Sequence, residues 1–318
     1  MVTMSSNPTD ESLLIGKLVS RAAELYESYG ACGNRCNHPS GSCSDEDAVW
    51  GSSYSCLACS NEVHFPESNG NTSHREKYDC EKFVCYYTCR YSWKYCSEIM
   101  YALETVDLKE YNRFNILSLG CGPAPDLMAF EQINREYRKP IFYRGYDINP
   151  YWRALHGEIK RYCSQHHMEA RFRTEDVFDA LETRKVGKRQ YNVVVMQYLF
   201  SSFADLDRSQ LVNRLCDLFI SKVVPMKKAG EPFLILINDI DHHTRATDHF
   251  DIPVKKLKDN GYHITYAKRH FEPRSWDFGD GSVQYGDCRN KFVIPKDIGD
   301  KFHRAIVCRS AQLVLEVR

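Results

Sequence analysis

From Asn115 to the C-terminus, short apolar runs alternate with helix-patterned segments, and that alternation leaves few folds open. The run ILSLG is followed by a helical pattern near Asp126–Tyr137, then by IFYRGYD at Ile141–Asp147 and a second helical pattern near Tyr151–Gln165. ARFRTED at Ala170–Asp176, YNVVVMQ at Tyr191–Gln197, a helical pattern around Asp207–Val223 and PFLILIND at Pro232–Asp239 continue the series. The runs have strand length and the segments between them have the length of crossover helices. The pattern therefore predicts an α/β fold, a mostly parallel sheet with helices on both faces. Ligands of such sheets lie beyond the carboxyl ends of the strands, where the loop after the first strand sits.

That loop is the informative one. In ILSLGCGPAPDLMAFE, Ile116–Glu131, a buried-strand pattern stops at Gly120, and a helix-like segment starts just past Gly122. A helix beginning there offers free amide groups and the positive end of its dipole to a ligand. A dinucleotide-binding loop needs a third glycine where Pro125 stands, and a phosphate-cradling loop needs Gly-Lys-Ser/Thr, which does not follow. Both of those nucleotide classes are weakened.

Four stretches, in order, resemble the motifs of class I S-adenosylmethionine-dependent methyltransferases. The resemblance covers roughly Asn115 to the C-terminus and implies a Rossmann-like methyltransferase sheet. LSLGCGPAPD is similar to the first motif, which places Leu119, Gly120 and Gly122 under the methionine part of the cofactor. YRGYDINPYW is similar to the second, which gives Asp147 the ribose hydroxyls and puts Ile148 beside it. TEDVFD is similar to the third, with Asp176 and the Val177 amide at the adenine. VVVMQYLFSSF is similar to the fourth, which brings Gln197 to the methyl group and substrate. Family members often carry an acid where Ser118 stands and a third glycine where Ala124 stands. Alanine at 124 would strain a positive-φ turn. On their own chemistry Asp147 and Asp176 also suit helix caps, and Tyr198 and Phe200 suit core or pocket wall.

The methyl acceptor is not legible. DNA base methylation is disfavoured, because the run that begins at Tyr191 ends in MQYLFSSF and lacks the N/D-P-P-Y/F/W type of sequence the resemblance would require. No Pro-Cys pair follows that run, so a cysteine route to carbon methylation has no nucleophile. Transfer to oxygen or nitrogen needs positioning and a proton acceptor. Asp239, Asp241, His242 and His243 are candidates for that acceptor, or else form a polar loop. No catalytic residue is assigned. The long segment Pro273–His303 is expected to be irregular and to shape the substrate mouth, or to be surface loop.

Upstream of about residue 105 the composition changes. Nine of the fourteen cysteines lie between Cys32 and Cys96, so residues 1–105 read as a Cys-rich module, and residues 106–318 as the methyltransferase domain. No apolar stretch approaches the ~20 residues that span a bilayer, and the N-terminus lacks the pattern of a signal peptide. It reads as an amphipathic helix with Leu13, Leu14, Leu18, Ala22 and Leu25 on one stripe. A cytoplasmic or nuclear location is expected, where clustered cysteines point to metal or burial. Cys32/Cys36 and Cys56/Cys59 have the spacing of a structural zinc site. On a helix from about Glu81 to Glu104, Cys85 and Cys89 are one turn apart. With Cys80 they either hold a second zinc or pack as a stripe of small side chains. Cys96, about 10 Å further along, stands outside such a site.

The expected function is a methyltransferase whose zinc-bearing module helps to form the substrate site, the acceptor being a small molecule, a protein or RNA. The alternative is a cofactor-binding scaffold that has lost catalysis. Tyr86, Tyr87, Tyr91 and Trp93 could stack on bases, but 42 basic against 42 acidic residues give no field that would draw nucleic acid.

Overall fold

The fold is taken from a computed structural model that describes residues 13–29, 56–57, 59–60, 80–183, 186, 190–203, 207–242, 246–272, 282–303 and 305–318. Its helices are α1 (Leu14–Ser28), α2 (Glu81–Leu103), α3 (Pro125–Tyr137), α4 (Arg153–Gln165), α5 (Val177–Glu182), α6 (Arg208–Lys222), α7 (Asp251–Asp259) and α8 (Lys296–Lys301). Its strands are β1 (Phe114–Leu119), β2 (Ile141–Asp147), β3 (Met168–Thr174), β4 (Val193–Gln197), β5 (Phe233–Ile240), β6 (Ile264–His270), β7 (Val283–Gln284) and β8 (Ser310–Val317). The chain divides into two compact units. One is Met1–Trp93 with Asn149–Ile159 and Phe292–Ala305, the other Lys94–Ile148 with Lys160–Lys291 and Ile306–Arg318.

The second unit holds the whole sheet, in the order β3-β2-β1-β4-β5-β8-β6-β7. Strands β1 to β5 run parallel, and β8 is antiparallel to both β5 and β6. The expected Rossmann-like α/β class is the one that forms. Burial explains why the central strands read as unbroken apolar runs. Every residue of β1 is buried, as are Val193–Met196 of β4 and Phe233–Asp239 of β5, the mark of strands covered on both faces. At the edge, β3 exposes Arg171 and Arg173 and carries no continuous apolar run, which discourages pairing with another chain. One face of the sheet packs Leu117, Val194, Met196 and Ile235 against Val212 and Phe219 of α6.

In the first unit the stripe expected of α1 is buried at Leu14, Leu18 and Ala22. Tyr26 meets Phe302 edge-on with ring centres 5.1 Å apart, and Tyr86 lies 5.9 Å from the same ring. No helix among the described residues is long and apolar enough to cross a membrane.

Candidate functional site

Strand register sets the site. Leu119 is level with Tyr146 of β2 on one side and with Met196 of β4 on the other. The residues that follow (Gly120, Asp147 and Gln197) therefore emerge together at one edge, where the order of the strands reverses around β1. Such a reversal opens a crevice at the carboxyl ends of the strands.

The turn leaving β1 is built on left-handed backbone. Gly120 has φ +71°, Gly122 +48° and Ala124 +58°. A Cβ on Gly120 would approach Leu199 Cδ1 to 3.0 Å, so glycine answers both the conformation and the space. Ala124 holds its left-handed conformation at a cost of about 1–2 kcal/mol, so the strain expected of an alanine there is present. The turn lies close on β2: the Gly120 and Cys121 amides both donate to the Tyr146 carbonyl, at 2.9 and 3.0 Å. A side chain at Gly145 would collide with Cys121 Sγ at 2.7 Å.

Asp147, at the end of β2, accepts the Gly122 amide on Oδ2 at 2.8 Å. The acid and the glycine turn singled out in the sequence are thus bonded to each other. Ile148 follows with 68% of its surface exposed. Asp176 stands at the start of α5, where its Oδ1 accepts the Phe178 and Asp179 amides at 2.8 and 3.4 Å. It is a helix N-cap, and Val177 beside it is buried.

On the other side of β1, Gln197 donates through Nε2 to the Tyr95 carbonyl at 3.0 Å, while its Oε1 is buried with no partner among the described residues. Tyr198 has φ +55°, a strained value for a residue with a side chain. Its ring lies 4.4 Å from that of Tyr95, and its hydroxyl donates to Glu98 Oε2 at 2.7 Å.

Glu98 is fully buried and was not singled out in the sequence. It also accepts the Asn238 amide group at 3.2 Å and the Arg309 backbone amide at 3.1 Å, with Lys94 Nζ at 3.5 Å. The one signal for it was Lys94 four residues earlier on the same helical face. Asp239, a candidate proton acceptor, is instead engaged by the Phe200 and Ser201 amides at 2.8 and 3.2 Å and by Ile240 N at 2.8 Å. Burial pushes it up to about 6 even so. His243 lies outside the described residues.

A second unanticipated acid adjoins the turn. Asp126 opens α3 with 1% of its surface exposed. Tyr143 donates its hydroxyl to Oδ1 at 2.9 Å, and Oδ2 is buried with no partner among the described residues. Ser118 places its hydroxyl beside the same carboxyl group.

Cys56 and Cys59 are both buried, and Cys32 and Cys36 lie outside the described residues. Among the described residues no group of three or more His, Cys, Asp or Glu is placed to hold a metal. The helical site considered for Cys80, Cys85 and Cys89 is therefore not formed by those residues. The Cys89 thiol donates to the Val19 carbonyl at 3.6 Å, and burial pushes Cys85 up to about 12 and Cys89 well above its ordinary value.

A shallow trough lined by Arg113, Asn115, Ile141, His167 and Gln190 lies at the amino ends of β1–β3, opposite the glycine turn.

No family model matches the chain, and no curated protein matches it. Solved structures do match. A plantazolicin methyltransferase in complex with S-adenosylhomocysteine (SAH) aligns with a TM-score of 0.42 at 11% identity, over 95% of this chain and 98% of that one. The magnesium protoporphyrin IX methyltransferase of Synechocystis with bound SAM aligns with a TM-score of 0.37 at 13% identity, over 82% and 96%. A putative class I S-adenosylmethionine-dependent methyltransferase of Listeria monocytogenes aligns with a TM-score of 0.40 at 15% identity, over 82% and 65%.

Proposed function

We propose that this chain is an S-adenosylmethionine-dependent methyltransferase acting on an oxygen or nitrogen acceptor. The observation that carries the reading is the 2.8 Å bond from the Gly122 amide to Asp147, which ties a ribose-competent acid to a left-handed glycine turn at the switch point of the sheet. A carboxylate has about four lone-pair positions, so Asp147 can keep that bond and still accept two ribose hydroxyls. In this reading Leu119, Gly120 and Gly122 underlie the methionine part. Ile148 gives the adenine an apolar face, Asp176 and Val177 meet its edge, and Gln197 borders the methyl group. When bound, the cofactor supplies an electrophilic methyl group on sulfur. The protein's share is to hold the acceptor in line and take up its proton.

The paired rings of Tyr95 and Tyr198 are the proposed wall for the acceptor. Small molecules, proteins and RNA all remain candidates, and the residues after β4 disfavour a DNA base. Cys56 and Cys59, three residues apart in the sequence, are both buried. Zinc at Cys32, Cys36, Cys56 and Cys59 is proposed on that pair and on the spacing. Elemental analysis of purified protein is expected to find at least one zinc per chain, lost in Cys56→Ser and retained in Cys85→Ser. Metal-free protein would end the proposal.

A second reading, a cofactor-binding scaffold without catalysis, is favoured by the engagement of Glu98 and Asp239. Both carboxylates near the acceptor side are already bonded by protein donors. Incubation with methyl-labelled cofactor and extracts of RNA, protein or metabolites separates the two. An enzyme labels one class of acceptor and accumulates SAH, whereas a scaffold binds the cofactor and releases none.

A further inference from the structure

We propose that Cys288 and Cys308 are a redox modification site, closing to a reversible disulfide when the protein meets a peroxide. The pairing begins with backbone register. Arg289 and Val307 face each other across an antiparallel bridge. On one side of it the Cys308 amide donates to the Cys288 carbonyl at 2.7 Å, and on the other the Asn290 amide donates to the Ile306 carbonyl at 3.3 Å. Cys288 and Cys308 are therefore directly opposed, and opposed residues of antiparallel segments send their side chains to the same face. The packing agrees. Cys308 is buried in a small cluster with Tyr101 and Phe271, and Cys288 packs against that same cluster beside Tyr285.

The dimensions suit a bond that comes and goes. Opposed Cα atoms lie about 4.5–5.5 Å apart, inside the span of about 4.4–6.8 Å that a disulfide bridges. Opposed Cβ atoms also lie about 4.5–5.5 Å apart, whereas a disulfide holds them at about 3.5–4.5 Å. Closure must draw the two segments together, and a bond made against that resistance is more easily reduced. The chain between the two cysteines carries Phe292–Ala305, which belongs to the first unit. The bond would thus staple the point where the chain leaves the sheet-bearing unit to the point where it returns. Just beyond it, the Arg309 amide donates to Glu98 Oε1 at 3.1 Å.

Access sets the order of events. Cys288 is partly exposed, and Cys308 is sealed from solvent. The Cys288 thiolate attacks one oxygen of hydrogen peroxide: an S–O bond forms, the O–O bond breaks, and the departing hydroxide takes a proton to leave as water. Cys308 then attacks the sulfenic sulfur of Cys288. The S–S bond forms, the S–O bond breaks, and the Cys308 proton leaves with the hydroxide as a second water. The two sulfurs together lose two electrons, which the peroxide gains. A dithiol reverses the change by exchange and is itself oxidised to a disulfide. Burial and the Glu98 carboxylate push Cys308 above its ordinary value, against the pull of Lys94 and Lys291, which fits a resolving thiol and not the first attacker. Cys96 also acts on Cys308, but both of those thiols are sealed, so an oxidant reaches neither of them first.

Mass spectrometry of the unaltered full chain tests the pairing. Folded protein is treated with hydrogen peroxide, its remaining thiols are alkylated in urea, and the chain is cut with trypsin. Cys288 and Cys308 are then the sole cysteines of peptides 275–289 and 305–309. The expected product is these two peptides joined with the loss of two hydrogens, and separated again by dithiothreitol. Cys288→Ser should abolish it, and Cys96→Ser should leave it unchanged. Peptide 305–309 joined instead to the peptide carrying Cys96 would overturn the assignment. So would Cys288 carried on to sulfinic or sulfonic acid with Cys308 still alkylated, or both peptides recovered alkylated after excess peroxide.

Discussion

At residue 126 and again at residue 239, a carboxyl group is held where its charge is disfavoured. Both are pushed from an ordinary value of 3.8 up to about 6, chiefly by burial. The folded protein therefore binds more protons than the unfolded chain between about pH 4 and pH 6. The stability contributed by the protonated forms is complete below about pH 4 and is lost as pH rises through about 6. For each acid the difference is on the order of 3 kcal/mol at pH 7. Asp126→Asn is expected to raise the urea midpoint of ligand-free protein at pH 7, with the advantage shrinking towards zero near pH 4. A lower midpoint at pH 7 would mean that the charge is compensated inside the fold. The sequence could not point to this residue. Asp126 reads as an ordinary first-turn acid, and only the packing of Tyr143 and Ser118 around it makes it a buried, half-satisfied one. Asp147 was legible because a strand end followed by a turn names its position directly.

Among the elements, α2 carries more than its composition suggested. Its aromatic and cysteine content pointed to the Cys-rich module, yet Tyr95 and Glu98 belong to the unit that holds the sheet. Glu98 joins Tyr198, Asn238 and Arg309 from three separate parts of the chain, and its backbone carbonyl accepts Gln312 Nε2 at 2.7 Å. Glu98→Ala would strand these donors in a buried setting. A loss of about 3 kcal/mol or more is expected in urea unfolding, with a smaller loss for Glu98→Gln; an unchanged midpoint would show that the cluster contributes nothing. The strands of the sheet were legible because burial on both faces writes itself as continuous apolar runs. Their order was not: nothing local in AQLVLEVR tells that β8 inserts antiparallel between β5 and β6. That pairing is decided by long-range register.

For the molecule as a whole, the balance of 42 basic and 42 acidic residues leaves no long-range field to attract a charged partner. In the proposed reading, recognition falls to the local arrangement at one edge of the sheet. Everything proposed there depends on a cofactor lying across the turn after β1, with its ribose on Asp147. Isothermal titration of SAH into the full chain, alongside Asp147→Ala, tests that dependence most directly. The expected result is one SAH per chain and an affinity at least about tenfold weaker in the variant, as for loss of charge-assisted bonds of about 1.5–3 kcal/mol each, with the fold intact. Binding of SAH that is indifferent to Asp147, or no binding at all, would contradict it.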